Sequence, residues 1–347
     1  MAKIIIIGAG ASGTSIAVPT LDNEHEVLLV GSPLDDEIIE TMRDGGTHPK
    51  LDRPLIGAVT SLRHDELHVD QIRGADILVL GVSSAGIPWS LDYLLSFGVP
   101  IERLIMITKG LDVTEDAGVR TLSARVTETL SPLGPVPAVI GVGGPCIARE
   151  LANRAPTAAV FGGERAAAVF CKKVFETSYY HVRPSSDLIG VEVNGALKNF
   201  MAIGVAATWS RFPNSVKDDA RQMNPAAAVF EQAVHELALL TQWLGGHPLT
   251  ALRLAGAGDL FVTINAGSNS HLGLRLGAGD KVNQALAGLE TVEGVDTARA
   301  LGPALYKAWQ RDPVLAAEMP LTRALLNAIL HDEPFSFDMG AYWHRND

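Results

Sequence analysis

The stretch Ile4-Ile5-Ile6-Ile7-Gly8-Ala9-Gly10-Ala11-Ser12-Gly13, near the N-terminus, decides the fold of this chain. Four consecutive β-branched side chains predict a strand that is buried on both faces of a sheet. Gly8, Gly10 and Gly13 then fit the spacing G-x-G-x-x-G, and the segment from Thr14 to Thr20 predicts the helix that should follow.

Each glycine in such a strand–turn–helix has its own physical task. The first allows a tight turn, the second lets a pyrophosphate approach the backbone, and the third lets the helix pack against the strand. Backbone N–H groups at the start of the helix would hold the phosphates. A glycine-rich turn without a ligand is the alternative, but the context predicts a bound dinucleotide. Its predicted contacts are Gly8, Ala9, Gly10, Ala11, Ser12 and Gly13.

Composition indicates a well-packed, soluble globular protein. At 347 residues the chain is long for one hydrophobic core, so two domains are expected. The net charge of −11, without a basic stripe, argues against nucleic-acid binding. Cys146 and Cys171 form neither a disulfide framework nor a zinc site, and they fit a reducing cytoplasm. The N-terminal apolar run is too short for a membrane span and is broken by glycines, so neither membrane insertion nor a signal peptide is expected.

Short apolar segments separated by helical ones predict right-handed βαβ units and a parallel sheet. The predicted strands after the first are residues 25–30, 75–82, 104–108, 136–142 and 179–182. From Asp187 onward the pattern becomes long, apolar and helical. The predicted fold is therefore α/β, with a doubly wound Rossmann sheet over residues 1–186 and an all-α substrate domain over residues 187–347. Ligand groups belong at the carboxyl ends of such strands, where Ser83, Lys109 and Gly144 lie.

The end of the second predicted strand bears on the choice of nucleotide. An acidic residue at that point would accept hydrogen bonds from the adenosine ribose and favour NAD. The strand instead ends in Gly31-Ser32-Pro33, and Asp35-Asp36 comes slightly late. Ser32 would tolerate a 2′-phosphate, and two cations, Arg43 and Lys50, could approach it. The sequence therefore favours NADP slightly over NAD.

A first chemical candidate is Lys198, in the helical segment Glu192-Val193-Asn194-Gly195-Ala196-Leu197-Lys198-Asn199-Phe200-Met201. Asp187 could cap this helix, and Asn194 lies on the same face as Lys198, four residues away. Desolvation among apolar neighbours favours the neutral form of a lysine, which suits proton exchange with a carbonyl or alcohol oxygen. From periodicity alone, a snorkelling lysine whose ammonium reaches water is the favoured alternative.

A second polar position follows the glycines of Leu254-Ala255-Gly256-Ala257-Gly258. Asp259 comes next and could cap the helix that begins there, with Thr263 one turn further along the same face. On local grounds alone, Asp259 is predicted to be a capping residue.

Taken together, these motifs resemble the NAD(P)-dependent glycerol-3-phosphate dehydrogenase family over nearly the whole chain. The resemblance is carried, in matching order and spacing, by Gly8 to Gly13, Thr108-Lys109-Gly110, Gly144-Pro145, Gly195-Ala196-Leu197-Lys198-Asn199, Gly258-Asp259-Leu260 and Val292-Glu293-Gly294. The loops Thr47-His48-Pro49 and Ala148-Arg149-Glu150 are most similar to archaeal-type members.

The resemblance implies hydride transfer between a nicotinamide and a small-molecule substrate, glycerol 3-phosphate or dihydroxyacetone phosphate. It implies that Lys198 exchanges the proton at the substrate oxygen and that cationic Lys109 stabilises the developing alkoxide. The implied catalytic residues are Lys198, Lys109 and Asp259. The implied substrate-binding residues are Lys109, Gly144, Asn199, Thr263, Ser268 and Asn269. Further cofactor contacts are expected at Ser32, Ser83, Lys109, Ala148 and Glu293, and no metal ligands are expected.

Two positions depart from the family pattern. Where the family carries an Arg-Asn pair for the substrate phosphate, this chain has Ser268-Asn269, and serine cannot make a bidentate phosphate contact. A different polyol, polyol phosphate or sugar acid is therefore the alternative substrate, unless a neighbouring cation replaces the charge. The candidates for that replacement are Arg275, Arg211, Arg221 and His271. Cys146 stands where a hydroxyl residue is usual and is expected to be inert.

Two further alternatives stay open at this point. A non-catalytic nicotinamide-binding sensor would share the fold, but it would have no need of Lys109, Lys198 and Asp259. The helical half could also offer a surface for a homodimer, and the aromatic tail residues Phe335, Phe337, Tyr342 and Trp343 could cover a partner or the chain's own core.

Overall fold

A computed structural model of the chain describes residues 1–51, 59–114, 116, 118–212, 221–265, 267–289, 291–336, 338 and 340. The strands among these residues are β1 (Lys3–Ile7), β2 (Glu26–Val30), β3 (Val59–Leu62), β4 (Ile77–Leu80), β5 (Arg103–Met106), β6 (Leu111–Val113), β7 (Val119–Thr121), β8 (Ala138–Gly143), β9 (Thr157–Gly163) and β10 (Tyr180–Ser185). The α-helices are α1 (Ala11–Asp22), α2 (Asp36–Arg43), α3 (Val69–Arg73), α4 (Ile87–Ser96), α5 (Leu122–Leu130), α6 (Ala148–Ala152), α7 (Arg165–Phe175), α8 (Leu188–Arg211), α9 (Met223–Trp243), α10 (Asp259–Thr263), α11 (Ser268–Gly277), α12 (Val282–Ala285), α13 (Glu293–Arg311), α14 (Pro313–Glu318) and α15 (Pro320–His331).

Eight of these strands form one sheet in the order β10-β9-β8-β5-β4-β1-β2-β3. From β3 to β8 every neighbouring pair is parallel, in the doubly wound order, so the predicted α/β fold is confirmed. The predicted sheet omitted β3 and β9, and β9 runs antiparallel to β8. β10 then pairs parallel to β9 at the sheet edge.

The isoleucines of β1 are fully buried, as their β-branched run predicts. Ile4 and Ile6 belong to one core cluster, together with residues of α1 and α7. Ile5 and Ile7 belong to a second cluster, together with residues of α4 and α5. Because successive side chains of a strand point to opposite faces, an unbroken apolar run is what a sheet covered on both faces requires.

The chain divides into two compact units by the density of its own contacts. Unit 1 comprises Met1–Lys109 and Thr121–Glu192, and unit 2 comprises Gly110–Arg120 and Val193–Asp347. Unit 1 contains the eight-stranded sheet. In its described residues, unit 2 contains α9 to α15, most of α8 and nearly all of the two-stranded sheet of β6 and β7. The prediction of an all-α second domain omitted this sheet. The domain boundary at 186/187 stays a prediction.

The long helix α8 begins where the sequence predicts, because Gly190 N–H donates to Asp187 Oδ1 at 3.0 Å. By length and composition alone this helix could cross a membrane, but 89% of its apolar window is buried inside the protein. The core helix of a globular protein passes the same test, so this single helix is weak evidence for a membrane span. Of the tail residues, Phe337, Tyr342 and Trp343 lie outside the described residues.

A buried carboxylate joins α9 to the start of α15 in unit 2. Glu236 accepts hydrogen bonds from the backbone N–H groups of Leu321 (2.8 Å) and Thr322 (2.6 Å), the Thr322 hydroxyl and the Gln232 amide. It thereby caps a helix whose own preceding residue, Met319, supplies no side-chain cap. Burial raises the pKa of Glu236 from its ordinary 4.5 to about 7, although these donors favour the charged form.

This raised pKa makes the stability of the fold depend on pH in a definite direction. The folded state holds the Glu236 proton more tightly than the unfolded chain does. The contribution of this protonated carboxyl group to the free energy of unfolding is therefore fully present below about pH 4.5 and is lost as pH rises towards 7. We expect Glu236→Gln to remove this loss, on the order of 1–3 kcal/mol. Its melting temperature relative to the wild type should therefore rise by a few degrees between pH 5 and pH 8.

Glu231→Gln, at an exposed position of the same helix, is the matched control and should follow the wild-type pH profile. Parallel profiles for Glu236→Gln and wild type would show that Glu236 is ionised throughout. Glu192 contributes with the same sign, since burial also raises its pKa to about 7, and it is unchanged in both variants.

Candidate active site

The turn after β1 has the geometry that its glycine spacing predicts. Gly8 adopts a φ of +104°, and a Cβ there would lie 2.8 Å from the Gly81 carbonyl carbon. A Cβ at Gly13 would lie 2.0 Å from the Gly8 carbonyl oxygen, so only glycine lets α1 approach β1 this closely. A Cβ at Gly10 would meet no protein atom within 4 Å, which is the open backbone approach that a pyrophosphate requires.

A cavity of about 430 Å³ opens beside this turn, at the carboxyl ends of β4, β1 and β2. It lies where the strand order reverses, which is the usual ligand position in an open α/β sheet. Predicted cofactor residues Gly8, Gly10, Ser32 and Ser83 all line it. The other residues that line it are Pro33, Leu34, Asp35, Gly81, Val82, Ala85, Gly86 and Trp89.

The carboxylate of Asp35 lies at the end of β2, although the residue comes several positions after that strand in the sequence. Its Oδ2 accepts hydrogen bonds from Ser32 N–H (2.8 Å), the Ser32 hydroxyl (2.7 Å) and Ala9 N–H (3.1 Å). Ser32 was predicted to leave room for a 2′-phosphate, but its hydroxyl is committed to this carboxylate. Of the two cations predicted to approach, Arg43 is paired with Glu66, and Lys50 is exposed.

His48 holds the same loop from its other side. Its Nδ1 accepts from Lys50 N–H at 3.1 Å, so Nε2 carries the proton and donates to the Ala9 carbonyl oxygen at 2.9 Å. His48 is fully buried. Both polar groups of the Ala9 backbone are therefore held by side chains from distant parts of the sequence, which stabilises the glycine-rich turn.

A second, smaller cavity of about 60 Å³ lies in unit 1 beside the first turn of α1. It brings together three predicted residues, Ser12, Lys109 and Gly144, at the ends of β5 and β8. Cys146 also lines it. The first turn of α1 is formed by Ala11, Ser12 and Gly13. Ala148 is the first residue of the short helix α6 and lines neither of these two cavities.

The central polar contact of unit 2 joins Lys198 to Asp259. The Lys198 ammonium donates to Asp259 Oδ1, and the two residues are only 7% and 1% exposed. Periodicity alone predicts that the Lys198 ammonium reaches water, and this prediction is wrong. The prediction that Asp259 caps a helix is also wrong. The helix α10 starts without a side-chain cap, and the Asp259 carboxylate is used in the ion pair instead.

A π-helix from Leu254 to Gly258 delivers Asp259 to this position. The wide turn brings Ala257 N–H to the Ala251 carbonyl oxygen at 2.7 Å. A Cβ at Gly256 would lie 2.1 Å from that same oxygen and 2.5 Å from Ala251 Cα. The glycine is required by this close backbone approach, and short π-helical turns are frequent at functional sites.

Three further predicted residues of unit 2 are held by hydrogen bonds: Asn199, Thr263 and Asn269. Asn199 donates its amide to Glu293 at the start of α13, and Thr263 donates to the Asp259 carbonyl oxygen at 2.8 Å. Asn269 Oδ1 accepts from Gly294 N–H at 2.8 Å. The contacts of Asn199 and Asn269 link α8 and α11 to α13, and the contact of Thr263 lies within α10.

Ser268 is the half-buried first residue of α11. Two of the four cations proposed to replace its missing charge are held elsewhere. Arg275 donates to Asp280 (3.3 Å) and to the Ala287 carbonyl oxygen (2.8 Å), and Arg221 stacks on the Trp209 ring at 4.1 Å. Arg211 and His271 are exposed.

The main site residues that sequence reasoning underused are Asp35 and His48. The sequence did point to Asp35, since an acidic residue is expected near the end of β2. Its carboxylate reaches that end only because a turn between Ser32 and Asp35 folds the chain back. The sequence indicated His48 only as part of the loop Thr47-His48-Pro49 and gave it no role. Its contact with Ala9 spans 39 residues of sequence and depends on the folded path of the chain.

Comparison with known proteins gives a consistent result across the chain. The family model for the N-terminus of NAD-dependent glycerol-3-phosphate dehydrogenase matches residues 3–169, and the model for its C-terminus matches residues 187–336. The chain is 34% identical over 301 residues to the NADP(+)-dependent glycerol-3-phosphate dehydrogenase of Archaeoglobus fulgidus, covering 85% of this chain and 87% of that protein. It is 31% identical to the glycerol-3-phosphate dehydrogenase [NAD(P)+] of Syntrophobacter fumaroxidans, over 94% of this chain and 91% of that one. A solved Plasmodium falciparum glycerol-3-phosphate dehydrogenase shares the fold, with a TM-score of 0.81 at 18% identity, over 100% of this chain and 96% of that chain.

The π-helix yields a stability prediction. We expect Gly256→Ala to destabilise the protein by about 1–3 kcal/mol, because the new methyl group would overlap the Ala251 backbone. Gly258→Ala, two residues later, is the control: its Cβ would first meet the flexible end of Leu254 at 3.2 Å, and its φ is an ordinary −64°. Chemical denaturation of both variants measures the difference, and equal stabilities would contradict the assignment of Gly256.

Proposed function

Because the chain belongs to the NAD(P)-dependent glycerol-3-phosphate dehydrogenase family, we propose that it interconverts sn-glycerol 3-phosphate and dihydroxyacetone phosphate by hydride transfer. The observation that carries this proposal is the buried Lys198–Asp259 pair in a chain that also has a dinucleotide cavity. A binding module would have no use for a desolvated ammonium group.

The residues around the first cavity fit a nicotinamide dinucleotide. The open space before Gly10 and the N–H groups of Ala11, Ser12 and Gly13 would hold the pyrophosphate at the start of α1. Val82, Ser83 and Trp89 would line the adenosine end. When bound, the nicotinamide supplies the hydride for ketone reduction and accepts it in the reverse direction.

In this proposal Lys198 manages the proton that accompanies the hydride. During reduction its ammonium donates a proton to the carbonyl oxygen of dihydroxyacetone phosphate, and during oxidation its neutral amine takes the proton back. Asp259 keeps Nζ in one place through the ion pair, and Thr263 holds the Asp259 backbone. Lys109 contributes a positive charge that stabilises the developing alkoxide.

The start of α11 offers a physical answer to the missing phosphate arginine. This helix has ten residues and begins at Ser268, so its first N–H groups and its positive dipole end can bind a phosphate. Asn269 is retained, and its contact with Gly294 ties this helix to α13. The relatives are glycerol-3-phosphate dehydrogenases, and they do not favour the alternative of a different polyol or sugar acid. We also propose a homodimer and a cytoplasmic location, which stay predictions from the sequence.

A substrate panel tests the proposed activity. We expect oxidation of NADH or NADPH with dihydroxyacetone phosphate at an ordinary rate, with a KM in the micromolar to millimolar range. Dihydroxyacetone without the phosphate is the matched comparison and should be turned over far less efficiently. Similar kcat/KM values for the two ketones would contradict phosphate recognition, and turnover only with an unrelated polyol would contradict the proposal.

The role of Lys198 gives a separate prediction. We expect Lys198→Ala to lower kcat by about 10²- to 10⁴-fold, because the proton donor is removed, while the affinity for NADH is unchanged. The substitution also leaves the Asp259 carboxylate buried without its ammonium partner, which costs about 3–5 kcal/mol of stability.

For that reason Lys198→Ala combined with Asp259→Asn is measured as well, since it removes both charges and should recover stability without recovering kcat. Lys281→Ala, at an exposed position of unit 2, is the control for removing a lysine. Intact turnover in Lys198→Ala would show that another group donates the proton. The absence of turnover in the wild type with any carbonyl substrate would favour a sensor.

A further inference from the structure

We propose that Cys146 is a site of reversible oxidation by hydrogen peroxide, and that this modification inhibits the enzyme from within the smaller cavity of unit 1. The inference rests on the proposed function, because it gives that activity a form of regulation. It replaces the expectation of an inert side chain at Cys146 with a defined reaction at its sulfur.

Cys146 lies in the loop between β8 and the short helix α6, and its side chain is half-buried. The loop is held at Pro145, whose carbonyl oxygen accepts a hydrogen bond from the Thr157 hydroxyl at 2.6 Å. Cys146 lines the cavity of about 60 Å³ together with Lys109 and Gly144. A cavity of this size has room for a few water-sized molecules, and hydrogen peroxide is only slightly larger than water.

The charge in this cavity favours the reactive form of a cysteine. Of the lining residues in the described part of the chain, Lys109 is the one with a charged side chain. A cation beside a cysteine favours the thiolate, which is the form that attacks peroxides. Reactive cysteines lie in partly exposed, electropositive surroundings, and Cys146 meets both conditions.

A buried hydroxyl group supports a ligand or an added group in the same cavity. Tyr180, the first residue of β10, is fully buried and lines the cavity, and its hydroxyl makes no hydrogen bond to any residue that the structure describes. Such a group costs free energy until a partner satisfies it. Burial, and then the charge of Cys146, raise the pKa of Tyr180 well above its ordinary 10. The hydroxyl therefore keeps its proton and can donate to an oxygen atom added to the Cys146 sulfur.

The second cysteine lacks these features. Cys171, on α7, is fully buried among the apolar side chains of the core, and burial raises the pKa of its thiol to about 12. A thiol in such surroundings stays protonated and unreactive. The chain therefore contains an internal control for the reactivity of Cys146.

The proposed oxidation consumes one peroxide molecule for each thiol. The Cys146 thiolate attacks one peroxide oxygen, so that an S–O bond forms while the O–O bond breaks, and the departing hydroxide takes up a proton to give water. Sulfur is oxidised by two electrons to a sulfenic acid, and the peroxide is reduced. A dithiol reverses the change, because one thiol displaces water to form a mixed disulfide and the other releases Cys146.

The added oxygen would lie among groups that the proposed reaction needs. Lys109 is proposed to stabilise the developing alkoxide, and the family resemblance implies that Lys109 and Gly144 bind substrate. A sulfenic oxygen on Cys146 would occupy part of a small cavity and draw on the positive charge of Lys109. The oxidised enzyme should therefore lose most of its turnover.

Trapping of sulfenic acid with dimedone, followed by peptide mass spectrometry of the full-length protein, tests the modification without requiring turnover. After brief exposure to hydrogen peroxide, we expect a dimedone adduct on Cys146 and none on Cys171. Treatment with dithiothreitol before trapping should abolish the adduct. In a parallel assay with dihydroxyacetone phosphate, kcat/KM should fall at least ~10-fold on oxidation and recover with dithiothreitol.

Two variants separate the sulfur from its surroundings, each compared with its own untreated sample. Cys146→Ser carries the hydroxyl that is usual at this position and should keep its activity through the same exposure. Tyr180→Phe removes a hydroxyl that has no hydrogen bond to lose among the described residues. It should slow adduct formation at Cys146 by about 2- to 10-fold, because the sulfenic oxygen loses one donor. An unchanged rate would overturn the part assigned to Tyr180.

The proposal would be overturned if no adduct formed on Cys146, if both cysteines were labelled equally, or if peroxide inhibited Cys146→Ser as strongly as the wild type. Labelling of Cys146 without loss of activity would overturn its inhibitory role. Reversible labelling of Cys146 in a protein that does not turn over dihydroxyacetone phosphate would instead contradict the proposed function and leave the modification site supported.

Discussion

The ion pair between Lys198 and Asp259 imposes the strongest constraint on unit 2. Removing two charges from water costs several kcal/mol for each ion, and only close, well-directed contact offsets that cost. The lysine sits on the long helix α8 and the aspartate at the start of α10, so both helices must hold their ends of the contact in register. The π-helical turn and the glycine inside it follow from this requirement, because an ordinary α-helical path would present Asp259 at a different angle.

The same constraint explains why local sequence rules failed at these two residues. Lysine in an apolar helix usually extends to water, and aspartate after glycines usually caps a helix. Each rule considers one residue and its neighbours, whereas the partner here lies 61 positions away. The family resemblance joins distant motifs, so it implied one constellation for both residues, and the structure shows that their side chains are in contact.

Much of unit 1 could be predicted because its strands are short, apolar and buried on both faces. The strand β9 was missed for a physical reason that the structure makes visible. It contains Gly162 and Gly163, which lower strand propensity. A Cβ at Gly162 would lie 2.8 Å from Val191, so the glycine makes room for the first turn of α8. The position of Asp35 was missed because this residue lies five positions after the end of β2 in the sequence. The turn between Ser32 and Asp35 folds the chain back, so that the carboxylate nevertheless lies at the end of β2.

The assignment of residues 110–120 to unit 2 has a consequence for the way such enzymes can be recombined. β6 and β7 are encoded between strands of unit 1, yet Lys307 of α13 donates to the Asp116 carbonyl oxygen at 3.3 Å. A chimera that exchanges a single contiguous N-terminal half between two relatives would therefore pair this two-stranded sheet with a foreign α13. Crossovers that respect the packing come in three places, after Lys109, Arg120 and Glu192, so functional cofactor domains should be inherited as two sequence blocks and not as one.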